Sequence, residues 1–347
     1  MDILEISGTE YEVGVEIGKK FQTYFQEKIG KYEQKLKYDE VKNILENVKE
    51  KIELKAPKCL EEIYGRADGA KVSRDALLLM FCPELFGAVN GCSTIIVKKN
   101  EKEILFAHNE DDLMDGSETV CLVKYNIGNN WIVGYTKARQ LVGGAFAWNN
   151  YGIVISCNYI YSSMINIDNV SRYVLSREIL RCKNIKEIIN KCNEIKTASG
   201  FSVNVLDLKE NKAINIEVGT ASIQITNIES KYGRANHYIN KQSYHRVIRN
   251  QETLNRQEKI TELLKNIKIS SSDMKTLVNI LNYEGDEYNN SIFKDFRKYP
   301  ELNQVMTTNT FTINSANKEI VIYNYLNMEI LNIDYDSFNI NKNKMEK

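Results

Sequence analysis

The sequence predicts an α+β protein, with two mainly antiparallel sheets packed face to face and helices outside them. Three observations predict it. The first 90 residues carry helical periodicity. From Gly91 to about Tyr161 the pattern changes to short apolar runs separated by Gly, Asn or charged residues. Beyond that, helices and strands return in blocks and do not alternate strictly. A chain of 347 residues can form one large unit and bury a core without disulfides or metals. No G-x-G-x-x-G follows a strand and no P-loop is present, which excludes a Rossmann reading.

In order along the chain, "YEVGVEIGKKFQTYFQEKI" sets Val13, Ile17, Phe21 and Phe25 at helical spacing. "VKNILENVKEKIEL" continues as helix until Pro57 stops it. "EEIYGRADGAKVSRDALLLMFCPEL" reads as a helix, a turn at Asp68-Gly69, and a second helix begun at Ser73 and halted near Pro83. Six strands follow: "STIIVKK", "EILFAHN", "VCLVKYN", "WIVGYTK", "AFAWNN" and "GIVISCNYI". Two helical segments span about Asn169 to Glu194, then "FSVNVLDL", "AINIEVG" and "SIQITNI" return to strand. Helices are expected from about Glu252 to Lys268 and from Met274 to Leu281, then a closing hairpin of "QVMTTNTFTIN" and "EIVIYNY". The polar tail "NKNKMEK" is expected to be disordered.

Acidic and basic residues balance at 46 each, so no charge surplus argues for nucleic acid or anionic lipid. No run of about 18 apolar residues argues for a spanning helix, and the N-terminus lacks the pattern of a secretory signal. The expectation is a cytoplasmic protein. Seven cysteines at irregular spacing, no C-x-x-C pair and three histidines argue against zinc, and no cofactor or metal is expected. Most of the thiols, Cys121 and Cys157 among them, read as small core residues.

Cys92 is different. Gly91 before it lacks a Cβ, so the peptide between them can be approached closely. A thiol that attacks the carbonyl of its own preceding residue forms a thioester, which water can hydrolyse. The new chain starts at Cys92 with a free α-amine of pKa roughly 7.7–8.0. Nucleophile and base then come as one residue, with no histidine needed.

The surrounding pieces carry a resemblance. "GTEYEVGVEIG" resembles a G-x-x-Y-E-x-G-x-x-x-G signature at Gly8, Tyr11, Glu12, Gly14 and Gly18. "GCST" resembles a G-C-T/S cleavage point. "AHNEDD" resembles G-x-N-x-D, "AWNNYGIVISCN" a segment ending in Asn158, "RANHYIN" a T-N-H motif with Asn236, and "TLNRQEKITELL" a late S-x-x-R helix with Arg256. Six pieces in this order resemble the peptidase C45 family of N-terminal-nucleophile (Ntn) hydrolases. Isopenicillin-N acyltransferase and carcinine hydrolase are members, and penicillin V acylase and bile salt hydrolase are more distantly similar.

The resemblance implies a four-layer αββα Ntn-hydrolase sandwich. It implies cleavage at Gly91-Cys92 into residues 1–91, a mostly helical pro-segment or α-chain, and 92–347, a β-chain, together one domain. Cys92 would be the nucleophile and Asn236 the oxyanion donor. Asp111 would orient the Cys92 amine and thiol, with Asp112 or Glu110 as alternatives. Arg256 would hold that acid or a substrate carboxylate, with Arg234 and Arg246 competing. Asn158 would be a second oxyanion or substrate contact. His108 stands where the bile salt hydrolase branch has arginine, which points away from bile-acid-like substrates. His108 would line the substrate pocket or stay a core imidazole, and His237 and His245 are expected to be structural.

The expected activity is hydrolysis of an amide C–N bond in a small N-acyl molecule through a Cys92 acyl-enzyme. Transfer of the acyl group to an amine is the alternative. A papain-like use of Cys92 with His108 or His245, or a non-catalytic binding relative, fits the residues less well. A homo-oligomer is compatible with the sequence; nucleic-acid and membrane partners are not expected.

Overall fold

The computed structural model describes residues 1–86, 91–113, 120–160, 165–240, 250–295, 297–298 and 305–345, without the side chains of 85 and 86. Tyr161, His245 and Arg246, named above, lie outside the described residues. Within them the chain forms two sheets. The first holds eight strands: β1 (Asp2–Ser7), β4 (Val120–Ile127), β5 (Asn130–Lys137), β6 (Phe146–Asn149), β7 (Ile153–Tyr159), β8 (Phe201–Asp207), β9 (Lys212–Val218) and β10 (Ile223–Asn227), in that spatial order. The second holds seven in the order β11 (Lys231–Arg234), β2 (Gly91–Asn100), β3 (Glu103–Asp112), β12 (Met306–Asn314), β13 (Glu319–Asn324), β14 (Glu329–Asp334) and β15 (Ile340–Lys344). Between these strands every pairing is antiparallel except β1 with β4.

Period-2 alternation builds the layers. On β4, Cys121 and Val123 join a core with helices α1 (Glu10–Lys20), α2 (Gln22–Lys35), α3 (Asp39–Lys55), α4 (Pro57–Ala70), α5 (Arg74–Met80), α6 (Arg172–Ile179) and α7 (Ile185–Glu194). Leu122, between them, joins the core between the sheets, where Phe146 stacks on Phe311 at 5.1 Å. On β2, Ile96 enters that same central core, while Ile95 and Val97 pack against α8 (Gln251–Asn266) and α9 (Met274–Leu281). The result is helix, sheet, sheet, helix, the αββα order expected.

Four local expectations need correction. β1 precedes the helices: "DILEIS" pairs with β4 and makes the N-terminal segment part of the first sheet. Asp68-Gly69 is no turn. Helix α4 runs to Ala70 and ends at Lys71, which takes a left-handed φ of 58°. Gly69 is needed for packing instead, because a Cβ there would sit 2.1 Å from the Val15 carbonyl oxygen of α1. Gly14 and Gly18 on α1 meet the backbone of Glu62 and Arg66 in the same crossing. The "YEVGVEIG" signature is thus half of a close helix–helix contact. The hairpin of β12 and β13 does not close the fold, since β14 and β15 extend the sheet. The polar tail is ordered through Lys344 because its backbone pairs with β14, which needs no apolar side chains.

Candidate active site

Gly91 and Cys92 open β2, an inner strand with β11 on one side and β3 on the other. Cys92, Thr94 and Ile96 face the first sheet; Ser93, Ile95 and Val97 face α8 and α9. The Cys92 Sγ accordingly donates to the Cys157 carbonyl on β7 at 3.5 Å, and the Ser93 hydroxyl accepts from Arg256 on α8 at 3.1 Å.

Asn236 embraces Cys92. Its Oδ1 accepts from the Cys92 backbone N–H at 3.0 Å, and its Nδ2 donates to Sγ at 3.1 Å and to the Tyr159 carbonyl at 2.8 Å. It is fully buried. Helix α8 holds it there. Thr253 Oγ1 accepts from the Asn236 N–H at 2.8 Å, and Gln257 bonds the Ala235 N–H and the Gly233 carbonyl. Beneath, buried Arg234 pairs with Glu217 at 2.5 Å and donates to the His237 carbonyl, while Glu217 accepts from the Ile239 and Asn240 N–H groups. Arg234 is therefore spent on this loop. His237 lies half-buried beside Thr253, its pKa lowered to about 4 by burial and the Arg234 and Arg256 charges.

Arg256 donates to the Cys92 carbonyl at 2.6 Å, and its guanidinium forks onto Glu252, one turn earlier, at 2.9 and 3.0 Å. Its expected partner, Asp111, feels its charge, but the bonds go to Glu252 and the strand. Lys294 also reaches Glu252, at 2.9 Å. Burial works against Glu252's charge, yet Arg256 and Lys294 hold its pKa at about 2; burial lowers Lys294 to about 8.

Asp111 lies on β3 directly across from Gly91, with the α8 face of the sheet. "NEDD" completes strand β3, and all of Asn109–Asp112 is buried. Asp111 Oδ1 accepts from Thr307 at 2.7 Å, while Oδ2 has no partner and stands where a Gly91 Cβ would be, 2.9 Å away. Only glycine leaves this carboxylate room. Burial, partly offset by Arg256 and Thr307, pushes its pKa up to about 6.

The acid on the thiol's own face is Glu110, which pairs with Cys92 across the ladder. Lys137 bridges Glu110 and Asp112 at 2.9 and 2.6 Å. Burial first, then the Glu110 charge, pushes the Cys92 thiol up to about 12. All seven cysteines are free and buried, so burial does not single out Cys92; its neighbours do.

Asn158 donates to the Cys92 carbonyl at 3.2 Å, and its Oδ1 accepts from Thr94 and Asn204, each at 2.8 Å. His108 is wholly buried between the sheets, 2.8 Å from the Thr94 hydroxyl. Neither lines the small cavity beside the thiol. That cavity, about 20 Å³, is walled by Gly91, Cys92, Glu110, Tyr159, Arg172 and Phe201. Sequence reasoning missed Arg172 and Tyr159, and only their place in space reveals them. Among the described residues no cluster of three His, Cys, Asp or Glu could hold a metal, and no helix is long and apolar enough to cross a membrane.

Fold and site define a class: a helix-clad double sheet whose glycine–cysteine pair opens an inner strand under an asparagine. The chain belongs to the acyl-coenzyme A:6-aminopenicillanic acid acyl-transferase family, the peptidase C45 group of N-terminal-nucleophile enzymes of the acyltransferase and amidase kind; the family model matches residues 97–319. The match takes in Asp111, Asn158, Asn236 and Arg256 and starts just after Cys92. No curated protein sequence matches the chain. Among solved structures it is similar to a conjugated bile acid hydrolase variant from Clostridium perfringens (13% identity, 74% of this chain and 98% of that one, TM-score 0.49). Penicillin V acylase from Agrobacterium tumefaciens is another (11%, 71% and 87%, 0.48). A third is the Caenorhabditis elegans ortholog of N-acylethanolamine-hydrolyzing acid amidase (13%, 65% and 93%, 0.47).

Proposed function

We propose that this chain cuts itself between Gly91 and Cys92 and then works as a cysteine amidase on small N-acyl molecules. The observation that carries the reading is the grip of Asn236 on both the nitrogen and the sulfur of Cys92. One side chain thereby holds the bond to be cut and the atom that would cut it.

In processing, Sγ attacks the Gly91 carbonyl carbon, the C–N bond breaks, and the thiol proton passes to the departing Cys92 nitrogen. Water then hydrolyses the thioester, leaving a Gly91 carboxylate and a free Cys92 thiol. A thiol pushed up to about 12 is protonated at neutral pH, so the step needs a proton acceptor. We assign the proton's passage to the scissile nitrogen to Asp111, which is unpartnered at Oδ2, ionises near pH 6 and stands against Gly91 on the sheet face opposite the thiol. After the cut the Cys92 amine takes over as base. Sγ attacks the substrate carbonyl, the Asn236 amide N–H stabilises the oxyanion, the amine half leaves with the proton, and water releases the acid. Asn158 and Arg256 hold the Cys92 carbonyl and so fix the nucleophile's strand.

Residues 1–91 would stay with 92–347 as one domain, since β1 lies in the first sheet and α1–α5 share its core. Seven unpaired cysteines fit a reducing, cytoplasmic setting. Intact-mass spectrometry of purified protein tests the reading: two fragments meeting at Gly91-Cys92 are expected, and an activated acyl ester should then add its acyl mass to the fragment that begins at Cys92. A chain that stays whole while still being acylated would overturn self-cleavage. A cut chain that takes no acyl group would overturn the amidase.

A further inference from the structure

The cavity beside the thiol ends at Arg172, and Arg172 is already holding a carboxylate. Glu84, in the 3₁₀ turn Pro83–Phe86 and seven residues before Gly91, is 95% buried against the start of α6. Its Oε1 accepts from the Arg172 backbone N–H at 3.0 Å, the Arg172 guanidinium at 3.2 Å, the Ser171 hydroxyl at 3.3 Å and the Ser199 hydroxyl at 3.4 Å. Four donors thus converge on one oxygen, while Oε2 is buried with no partner. The cradle is rigid. Arg172 lies 4.7 Å from the ring centroids of both Tyr159 and Tyr173, and Gln140 fixes the Tyr173 hydroxyl at 3.0 Å. Each of the three donor residues is itself more than nine-tenths buried.

A helix start, a guanidinium and two hydroxyls suit a bidentate carboxylate better than the one-sided fit Glu84 gives them. The chain segment carrying Glu84 is also the one released at its far end by a cut at Gly91. We infer that the Ser171–Arg172–Ser199 cradle is the substrate-carboxylate subsite, and that Glu84 stands in for the substrate until the chain is cut. The substrate class is then an N-acyl compound bearing a free carboxylate, on its amine half or its acyl half. This rests on the amidase reading above and deepens it.

Two matched pairs test it on cleaved protein. N-hexanoylglycine beside N-hexanoylglycinamide places the charge on the amine half; glutaric monoanilide beside pentanoic anilide places it on the acyl half. In one pair kcat/KM should favour the charged member by roughly ten- to a hundredfold, the usual range for hydrogen bonds to an ionised group. Arg172→Gln should erase that preference through KM; Arg172→Lys should retain part of it. No preference in either pair, or equal loss on both members, overturns the proposal.

A binding arm needs no turnover. Hexanoylglycine and glutarate monoanilide are titrated by calorimetry into uncleavable Cys92→Ala and into Cys92→Ala with Glu84→Gln. Removing the stand-in charge should tighten binding of one of them at least about tenfold, and adding Arg172→Gln should abolish the gain. If Glu84→Gln merely unfolds the protein, Glu84 is an anchor and the proposal falls. Binding without turnover of any of the four compounds would keep the cradle and sink the amidase.

Discussion

Helices α4 and α8 carry the same device to different ends. Each pairs a glutamate with a buried arginine one turn away: buried Glu62 with Arg66 at 2.6 Å, and half-buried Glu252 with Arg256 at 2.9 Å. On α4 the arginine's other arm donates to the Ala138 and Gln140 carbonyls after β5, and Arg177 of α6 closes onto Glu62 at 2.9 Å. On α8 the other arm donates to the Cys92 carbonyl and Ser93. One cluster fastens a turn; the other fastens the strand that starts with the candidate nucleophile. Charge separates them too. Glu62 faces two arginines, whereas Glu252 and Asp111 together face Arg256 and Lys294. The second cluster is neutral only when Asp111 gives up its proton, so it has a titratable choice that the first lacks. A buried ion pair by itself says nothing about function; what its free arm touches does.

The largest effect should separate two buried cysteines, one per cluster. Cys92→Ala should abolish both cleavage and acylation, read by intact mass. Cys59 lies on α4, its Sγ 3.3 Å from Glu178, with its thiol pushed far up by burial. Cys59→Ala should leave cleavage at the wild-type rate. Equal loss from both would erase the distinction.

Next come the arginines. Arg66→Met leaves Glu62 with Arg177 alone and Arg256→Met leaves Glu252 with Lys294 alone, and each should lower unfolding free energy in urea, by at most about 3–5 kcal/mol. Only Arg256→Met should also slow cleavage per folded molecule, because it frees the Cys92 carbonyl. If folded Arg66→Met cleaves as slowly, α8 has no special link to the site.

Asn236 sharpens the comparison on the α8 side. In already cleaved protein, Asn236→Ala should lower kcat by about 10²–10³-fold and move KM less, since an oxyanion donor acts on charge that develops only in the transition state. Its complete burial adds a folding cost, so kinetics must be taken on material shown to be folded by circular dichroism. Normal turnover in that material would pass the role to Asn158 or to backbone N–H groups.

The sequence made much of this legible and hid the rest for physical reasons. Apolar periodicity and caps located most elements: Met274–Leu281 is helical over those very residues, and Ser73 caps α5. Backbone-driven features were hidden. Gly69 is in its helix for a backbone contact with α1, a partner more than 50 residues away, and β15 pairs through its main chain although its side chains after Ile340 are polar. At the site, ordered motifs found Cys92, Asp111, Asn236 and Arg256, and the structure brings all four around Gly91-Cys92. Which of three neighbouring acids stands opposite Cys92 depends on register, here Glu110, and no local pattern states a register. The Glu84–Arg172 contact joins residues 88 apart and has no local signal at all.

The smallest expected effect is also the one with opposite signs in the two clusters. Asp111 has its pKa raised from 3.8 to about 6, burial being the main cause. The folded state therefore holds this proton where the unfolded chain has lost it. Stability falls as pH rises from about 4 to about 6, and the loss then persists, at most about 3 kcal/mol for a shift of this size. Asp111→Asn, made in the Cys92→Ala background so that no cut intervenes, should be the more stable protein at pH 7. Its advantage should shrink to nothing near pH 4. Glu62 runs the other way. Burial opposes its charge, but Arg177 and Arg66 outweigh that and lower its pKa below 4.5. Its contribution is present above the unfolded pKa and lost as pH falls through the folded one, so Glu62→Gln should destabilise at pH 7 and converge with its parent in acid. Urea unfolding at pH 4, 5, 6 and 7 reads both. In the background that keeps Cys92, Asp111→Asn should slow cleavage despite its extra stability. A variant that is stabilised and still cleaves at the wild-type rate would leave Asp111 a buried passenger, and the α8 cluster would then differ from the α4 cluster in position only.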